Sequence, residues 1–412
     1  MVAIHTGVFE GFSTGSERKR SMANCAKRGA VQFGLALSAV FLIGGSSSLA
    51  QPVFPASDVP AGYLVFPKVV VSTTADTFIQ LTNTNRATPG SPPIARTVQC
   101  FYIDSTTCGE SSNFTIELSP GQPTAWTVHD GAPSLGIGGR GDFLGELKCV
   151  EVDGITTVVP VTVNDLKGEA SIYTVTGGNP GSVDVRSYNA IGLQAIAPAS
   201  SSATPTSIGK KCLFGAHPGV GCVDDTPCLP GGECGVTMCL GQTAGSPECG
   251  TANYVSCPNT LILNNFFDQA LDPVSGKAIT TNLTLVPCTE DLAQGTVEAQ
   301  PITSVQFLIF NEFEQRTSTA TKVQCFKEVQ LSRIDAKPGA ELASVFNVGV
   351  QGTLVGQTRI RPVQVATDTT VGHGLLGVAE EFHVTGSVAV NLNQVGTNQG
   401  RGDFVHYILA LP

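Results

Sequence analysis

The chain has 412 residues, with 33 acidic against 23 basic side chains and a net charge of −10. Nucleic acids and anionic membranes bind proteins through clustered Lys and Arg residues, so an acidic chain of this kind is repelled by both. Its abundance of Thr, Val, Gly and Ser favours strands and turns over helices.

The first 50 residues have the features of a secretory signal peptide. Lys27 and Arg28 precede an apolar run over residues 30–43, and Ser48-Leu49-Ala50 closes it with small side chains. The run is too short for a comfortable membrane span. Because the stretch before it is long for a signal, Met22 is the alternative start. We expect cleavage after residue 50, a secreted, extracellular or periplasmic protein, and no membrane span afterwards.

The mature chain would be more acidic and rich in cysteine. Removing the five basic and two acidic residues of the leader leaves 18 basic and 31 acidic residues, a net charge of −13. An even number of cysteines in an exported chain predicts disulfides, here up to six. The twelve expected half-cystines are Cys100, Cys108, Cys149, Cys212, Cys222, Cys228, Cys234, Cys239, Cys249, Cys257, Cys288 and Cys325.

Short strand-like runs follow the leader in chain order. They are separated by Gly, Pro and Asn turns, and no window outside the leader has a convincing helical period. The first half of the chain has such runs at 63–66, 69–71, 77–82, 97–103, 115–118, 125–128, 143–152, 156–163, 170–175 and 183–188. Strands at this spacing predict an antiparallel sandwich.

The second half of the chain repeats motifs of the first in the same order. Matching stretches are Val98-Gln99-Cys100-Phe101 with Val323-Gln324-Cys325-Phe326, 141–146 with 352–357, 166–177 with 375–386, and 181–185 with 386–390. The strand at 305–311 is matched to the one ending at Asn83, and Cys149 falls opposite Ile360. A long internal period indicates one domain in two copies. On this alignment the copies share one cysteine position, Cys100 with Cys325.

The predicted fold class is all-β, with two homologous immunoglobulin-like β-sandwich domains around a disulfide-rich, loop-dominated insert. The predicted order is a signal peptide at 1–50, an extended linker at 51–56, sandwich copy 1 at 57–197, a linker at 198–205, a cysteine-rich insert at 206–257 and sandwich copy 2 at 258–412.

The insert holds seven cysteines between Cys212 and Cys257, with few large apolar residues. Such a stretch cannot bury a core and must be stapled. Its segment from Cys222-Val223-Asp224-Asp225 to Gly231-Gly232-Glu233-Cys234 resembles small cysteine modules of exported bacterial proteins, which implies a disulfide knot. Since seven is odd, at least one bond leaves the knot, with Cys288 as a candidate partner.

The first copy also resembles a known group. Gly62-Tyr63-Leu64-Val65-Phe66-Pro67, Ile79-Gln80-Leu81-Thr82-Asn83-Thr84 and Cys100-Phe101-Tyr102-Ile103-Asp104 are similar to uncharacterised exported bacterial proteins with immunoglobulin-like repeats. That resemblance implies the fold and carries no function.

Two sets of side chains could bind metal. His373, Glu381 and His383 form the densest set, with Glu381 and His383 on one face of a strand and Glu380 on the other. Zinc needs three converging ligands, so a solvated strand face is the competing interpretation. Asp224, Asp225 and Glu233 could offer oxygens to calcium, against ordinary solvated loop carboxylates. We expect no cofactor, with calcium as the alternative.

The tripeptide Arg-Gly-Asp occurs twice, as Arg140-Gly141-Asp142 and as Arg401-Gly402-Asp403. An adhesive interpretation needs Arg and Asp to project together from a loop tip. The structural interpretation is a glycine turn with positive φ that leads into a strand, and we favour it.

We expect no enzyme, because no nucleophile elbow, phosphate-binding loop or dinucleotide fingerprint is present. The favoured function is a secreted or cell-surface structural or binding protein, using sandwich loops and edges for a protein or glycan partner. A secreted hydrolase or metal-dependent enzyme is the alternative, and a glycan-binding module is a further one.

Overall fold

The computed structural model describes residues 59–86, 90–155, 160–175, 183–196, 210–212, 230, 234–236, 248–249, 252–254, 257–258, 260–287, 302–335, 344–363, 374–383 and 386–395. The regular secondary structure of these residues is almost entirely β-strand, and the all-β prediction with paired antiparallel sheets is confirmed. Within them, no helix has the length and apolar character required to cross a membrane.

The first sandwich packs a five-stranded sheet on a four-stranded sheet. Its strands are β1 (Tyr63–Val71), β2 (Ala75–Asn83), β3 (Arg96–Asp104), β4 (Glu110–Leu118), β5 (Pro123–Thr127), β6 (Phe143–Val152), β7 (Leu166–Val175), β8 (Val183–Asn189) and β9 (Ile191–Leu193), with a 3-10 turn at Pro133–Leu135. The sheet orders are β4-β3-β6-β1-β9 and β5-β2-β7-β8.

The end of copy 1 and the insert contribute short strands. They are β10 (Ala195–Ile196), β11 (Lys210–Cys212), β12 (Cys234–Val236), β13 (Glu248–Cys249) and β14 (Ala252–Tyr254), in sheets β10-β14-β13 and β11-β12. Tyr254 is fully buried, and its ring meets that of Tyr63 edge-on at 5.4 Å. Tyr254 and Cys257 pack with Val65 and Phe101 on the face of the five-stranded sheet that points away from the first core. The insert therefore covers that face, which explains why β1 is apolar on both sides.

The second sandwich repeats the strand order of the first. Its elements are β15 (Thr260–Phe266), β16 (Thr280–Pro287), β17 (Ile302–Asn311), β18 (Arg316–Gln324), β19 (Lys327–Gln330), β20 (Val355–Val363), β21 (Leu375–His383), β22 (Gly386–Asn391) and β23 (Asn393–Val395), with α1 (Val348–Gln351) and a 3-10 turn at Leu331–Arg333. The orders β18-β17-β20-β15-β23 and β19-β16-β21-β22 correspond strand for strand to β4-β3-β6-β1-β9 and β5-β2-β7-β8.

This correspondence corrects part of the sequence alignment. β6 with β20 and β7 with β21 are equivalent, as the motifs predict. The strand ending at Asn83 is β2, whose equivalent is β16 and not β17. Cys100 lies in β3, whereas Cys325 follows β18, so the predicted shared cysteine position is wrong. The short motifs were matched to the wrong strands because the strands of a sandwich share the same alternating pattern. That pattern does not specify where a strand lies in its sheet.

Cross-strand register identifies the true equivalents of the first-sandwich cysteines. Cys149 lies opposite Cys100, and Ile360 lies opposite Phe307 in the same place of the second sandwich. Cys100 and Cys149 form a disulfide between neighbouring strands. The second sandwich fills these two positions with fully buried apolar side chains.

A second disulfide joins the two sandwiches. Cys108 follows β3 and bonds to Cys325, which lies between β18 and β19. Cys257 is disulfide-bonded as well. These bonds are compatible with an oxidising compartment.

One predicted strand is absent from the described part of the chain. Residues 160–163 of the predicted strand 156–163 contribute an isolated bridge from Pro160 to Val152 instead of a paired strand, while 156–159 lie outside the described residues. β-Branched composition alone suggested a strand there, but the segment forms part of the connection between β6 and β7.

The two sandwiches also share apolar packing. Val378 of β21 and Ala389 of β22 belong to the core cluster of the first sandwich, among Phe66, Tyr188 and Ala190. Ala379, one residue from Val378, belongs to the core of the second sandwich. The sheet containing β21 therefore supplies one face to each core, and the second sandwich completes the first.

Candidate functional site

The predicted metal set around His383 forms a clasp of three side chains. Nδ1 of His383 lies 2.8 Å from Oδ2 of Asp272, and Nε2 lies 2.5 Å from Oε1 of Glu381. Glu381 and His383 share one face of β21, as strand alternation predicts. Asp272 comes from the loop between β15 and β16, where its Oδ1 accepts backbone N–H bonds from Val274 and Ser275.

Electrostatics favour the protonated form of His383. Hydrogen bonds to Asp272 and Glu381 raise the pKa of the imidazole, because each carboxylate favours the form that donates from both nitrogens. The backbone N–H of Ser275, then His383 and Val274, lower the pKa of Asp272 to about 2. In the protonated form both ring nitrogens donate to carboxylates, so this form of His383 has no free lone pair for a metal.

The other predicted metal ligands cannot be placed relative to this cluster. No group of three or more His, Cys, Asp or Glu side chains arranged to hold a metal occurs in the described ranges. His373, Asp224, Asp225 and Glu233 lie outside the described residues. The clasp instead ties a surface loop to the end of β21.

A second cluster, which we call the seam network, lies between the sandwiches. It comprises Lys68 and Arg186 from the first sandwich and Glu328 and Glu380 from the second. Glu380 is only 1% exposed, and its carboxylate contacts Lys68 Nζ through Oε2 and Arg186 Nε, at 2.9 Å, through Oε1. Lys68 Nζ also lies 2.7 Å from Glu328 Oε1.

The backbone of β1 places Lys68 in the seam. The register of β1 on β6 shifts between Phe66 and Val69, so Lys68 lies at a bulge. The phenol of Tyr188 clamps this bulge, because its hydroxyl donates to the carbonyl of Lys68 and accepts from the backbone N–H of Lys68 at 3.2 Å. Lys68 is 5% exposed, so its charge needs partners within the protein.

Arg186 of β8 fixes the other side of Glu380. Its Nη1 lies 2.7 Å from Oδ2 of Asp184, its Nη2 donates to Thr174, and its guanidinium stacks 5.0 Å from the ring centre of Phe382. Burial opposes the ionisation of Asp184, but hydrogen bonds from Ser387 and Arg186 together lower the pKa of its carboxyl.

Equivalent edge strands of the two sandwiches meet at this seam. β8 and β22 occupy the same place in their sheets, and Asn391 Nδ2 donates to the carbonyl of Asn189 at 2.7 Å. Ser387 donates its backbone N–H to Asp184 at 3.2 Å. Side-chain hydrogen bonds therefore link these two strands, which remain the end strands of separate sheets.

The first Arg-Gly-Asp tripeptide is divided between interior and surface. The Arg140 guanidinium lies over the rings of Tyr102 and Phe143, at 5.7 and 5.4 Å from their centres. Asp142 is exposed. The half-buried Arg140 is therefore held against aromatic rings, whereas Asp142 is exposed to solvent. Arg401 and Asp403 lie outside the described residues.

The glycine prediction for this turn is wrong. Gly141 is not among the positive-φ residues, and a Cβ built on it meets no atom within 4 Å. Any residue could adopt its backbone conformation, so the turn does not depend on glycine for φ.

An open groove of about 520 Å³ lies beside Asp142. Its polar lining combines the carboxylates of Asp104 and Asp142 with the hydroxyls of Ser72, Thr73, Ser105 and Thr106. One oxygen of the Asp104 carboxylate is already hydrogen-bonded, because Oδ1 accepts the backbone N–H groups of Thr106 and Thr107, each at 2.8 Å. The groove offers hydrogen-bonding groups without an exposed aromatic platform.

Apolar side chains collect at one end of the second sandwich, which we call the apolar tip. Its exposed members are Leu271, Val274, Phe313, Val350 and Leu354, with Val274 at 88% and Phe313 at 67% exposure. Hydrogen bonds connect the loops that carry them: Asn311 Nδ2 donates to the Gln351 carbonyl, Val348 N–H to the Asp268 carbonyl, and Phe267 N–H to the Leu354 carbonyl. Contiguous exposed apolar surface often marks an interaction site.

Sequence reasoning missed three of the four seam residues: Lys68, Arg186 and Glu328. One signal was available for Lys68, since it interrupts the apolar run Tyr63–Val71. A lone charge inside a strand that is apolar on both faces requires a buried partner. Arg186 and Glu328 lie in alternating strands, where a charged residue carries no comparable signal.

No protein-family model matches the chain, and no curated protein matches it. Among solved structures, the CupB6 tip adhesin from Pseudomonas aeruginosa is found at 11% sequence identity and a TM-score of 0.11, covering 82% of this chain and 93% of that chain.

Proposed function

We propose that this protein is an exported, non-enzymatic binding protein of the cell surface or extracellular matrix, and that the apolar tip contacts a protein partner. The observation that carries the proposal is the tip itself, where loops tied by backbone hydrogen bonds expose Val274 and Phe313 to solvent. Binding loops held on a rigid scaffold are the usual arrangement in sandwich proteins.

Rigid joining of the sandwiches supports this function. The seam network, the shared core and the Cys108–Cys325 bond make the two copies one body. A binding protein that holds its contact loops in fixed positions loses less conformational entropy when a partner binds.

The contacts of His383 weigh against the metal-dependent enzyme. Both of its nitrogens are taken by carboxylates, so it is a poor ligand and a poor general base. Metal analysis of the purified protein separates the two functions. A stoichiometric transition metal that is lost in His383→Ala would favour the enzyme.

Capture from the native extracellular fraction tests the tip. The bait is the full chain with Phe313→Ser and Val274→Ser together, compared with wild type. A matched control carries Ile155→Ser, since Ile155 is 60% exposed but belongs to the first sandwich. We expect a partner retained by wild type and the control and lost with the tip variant. A partner retained equally by all three would place binding elsewhere.

The glycan alternative has its own observation, the groove beside Asp142 with its hydroxyls and carboxylates. Asp142→Ala separates it from the tip, because only groove binding would respond. Saturable binding of a glycan panel that Asp142→Ala removes would make the glycan function the leading one.

A further inference from the structure

The seam network brings together four ionisable groups, three of them almost fully buried: Lys68, Arg186 and Glu380. Lys68 and Glu380 are in contact and almost completely buried, at 5% and 1% exposure. Glu328 holds a second carboxylate 2.7 Å from the same nitrogen, and Arg186 holds a guanidinium nitrogen 2.9 Å from the free oxygen of Glu380. In this set the Lys68 nitrogen is a nucleophile, Glu380 Cδ is an electrophilic carbon and Glu328 is a base. Arg186 is a cation beside the Glu380 oxygen that would gain negative charge.

We propose that Lys68 and Glu380 are a self-modification site, at which an amide bond forms between Lys68 Nζ and Glu380 Cδ and covalently joins the two sandwiches. This bond would be a second covalent link beside Cys108–Cys325. The proposal goes beyond binding and does not depend on which partner the protein contacts.

The reaction balances without an oxidant or an added reagent. The Lys68 ammonium passes one proton along its hydrogen bond to Oε2 of Glu380, which leaves an amine and a carboxylic acid. The amine attacks Cδ, and Arg186 stabilises the charge that develops on Oε1. Glu328 takes the second proton from the nitrogen and returns it to Oε2. The Cδ–Oε2 bond then breaks, and Oε2 leaves as water.

Burial supplies the driving conditions. Two buried charges are expensive to keep out of water, and the amide removes both together. Fixed neighbours react as if at very high concentration, with effective molarities up to about 10⁵–10⁸ M for well-oriented groups. The water released leaves a seam that is nearly closed to solvent, which slows the reverse reaction.

The same molecule contains a matched control pair. Lys148 Nζ lies 2.9 Å from Glu146 Oε1, and both side chains are 5% exposed. No second carboxylate contacts Lys148, and no guanidinium contacts Glu146, among the described residues. If burial and contact alone were sufficient, this pair would also condense. The proposal predicts that it does not.

Peptide mapping of the purified, reduced and alkylated protein is the test. We expect a branched peptide that joins the segments containing Lys68 and Glu380, lighter than their sum by one water molecule. Trypsin should fail to cleave after Lys68 and should cleave after Lys148. Complete cleavage after Lys68 in the wild-type protein would overturn the proposal, as would an equal branch between Lys148 and Glu146.

Glu328→Gln tests the role of the base. The amide of Gln keeps the size and a hydrogen bond but cannot take the proton, so we expect the branched peptide to form about a hundredfold more slowly. Lys68→Arg keeps a cation and should show no branch. Thermal unfolding of both variants establishes that they are folded. A folded Glu328→Gln protein that is branched as fast as wild type would remove Glu328 from the mechanism and overturn the assignment.

Discussion

The two sandwiches have the same strand order but are held together by different means. In the first, Cys100 and Cys149 form a disulfide between β3 and β6; in the second, Phe307 and Ile360 occupy those positions. Both pairs are fully buried. One fold position therefore accepts either a covalent bridge or apolar packing, and the strand order does not depend on which is used.

The seam depends on side chains that neither sandwich repeats. Lys68 lies at a bulge of β1, and the register of β15 on β20 has no such shift. The equivalent strand therefore continues without an inserted residue. The copies differ at the seam network, because the first sandwich provides its cations and the second sandwich provides its carboxylates.

The largest expected effect comes from breaking the seam. Relative to wild type in which the proposed amide has not formed, Glu380→Ala leaves Lys68 and Arg186 buried without their shared carboxylate, and removing one member of a buried ionic set costs about 3–5 kcal/mol of unfolding free energy. Chemical denaturation measures it. Glu381→Ala is the control, since Glu381 is partly exposed and its loss should cost less than about 1 kcal/mol. Equal losses for the two variants would contradict a seam role.

Removing the first-sandwich disulfide comes next. Cys100→Ala with Cys149→Ala should lower the unfolding free energy by about 2–4 kcal/mol, since the bond closes a loop with a sequence separation of 49. Cys100→Val with Cys149→Ile puts apolar side chains at both positions, as the second sandwich does with Phe307 and Ile360, and should recover part of that loss. If the apolar pair is no better than the alanine pair, the two sandwiches do not use equivalent solutions.

The two sandwiches should also depend on pH in different ranges. In the first, burial raises the pKa of Glu151 from 4.5 to about 7, against the opposing charge of Arg96. A carboxyl with a raised folded-state pKa is more protonated when folded, so stability falls as pH rises from about 4.5 to 7. The slope is at most about 1.4 kcal/mol per pH unit. Glu151→Gln should remove this slope, and an unchanged slope in unfolding curves would contradict it.

The His383 clasp gives the second sandwich the opposite dependence at low pH. Asp272 has a lowered pKa, so its contribution is present above 3.8 and is lost as pH falls towards about 2. His383 has a raised pKa, so its contribution is present below 6.5 and is lost as pH rises through the folded value. Asp272→Asn should lower the pKa of His383, measured by NMR titration. A His383 pKa that does not move would show that Glu381 alone sets it.

Periodicity and turn residues were sufficient to predict the sandwiches and much of β6, β7 and β21, because strands buried on one or both faces have a strong pattern. Equivalence between the copies was harder. A four-residue motif placed Cys325 at the position of Cys100, although sheet register places Phe307 there. Register depends on contacts between distant strands, which a local match does not contain.

The sequence predicted more of the His383 clasp than of the seam network. Alternation correctly placed Glu381 and His383 on one face, but Asp272, which decides the state of His383, lies 111 residues away. The seam required knowing that β1 and β21 meet, and Lys68 and Glu380 are 312 residues apart. Single residues at such separations carry no shared pattern, so only the fold brings them together.

The smallest expected effects concern two glycines that the repeat aligns, Gly141 and Gly352. Gly352 ends α1 with φ +72°, whereas Gly141 has no positive φ and open space around its Cα. Gly352→Ala should therefore cost about 1 kcal/mol, because an alanine in the left-handed region is strained.

Gly141→Ala should change the unfolding free energy by less than about 0.5 kcal/mol, since a Cβ meets nothing and the backbone needs no special φ. Gly145→Ala is the matched positive control four residues later, because its Cβ would lie 2.0 Å from the carbonyl oxygen of Ile103. Thermal unfolding of the three variants ranks them. A large loss for Gly141→Ala would restore a structural need for glycine in the Arg-Gly-Asp turn. Without such a loss, another residue can take the place of Gly141 in the first sandwich.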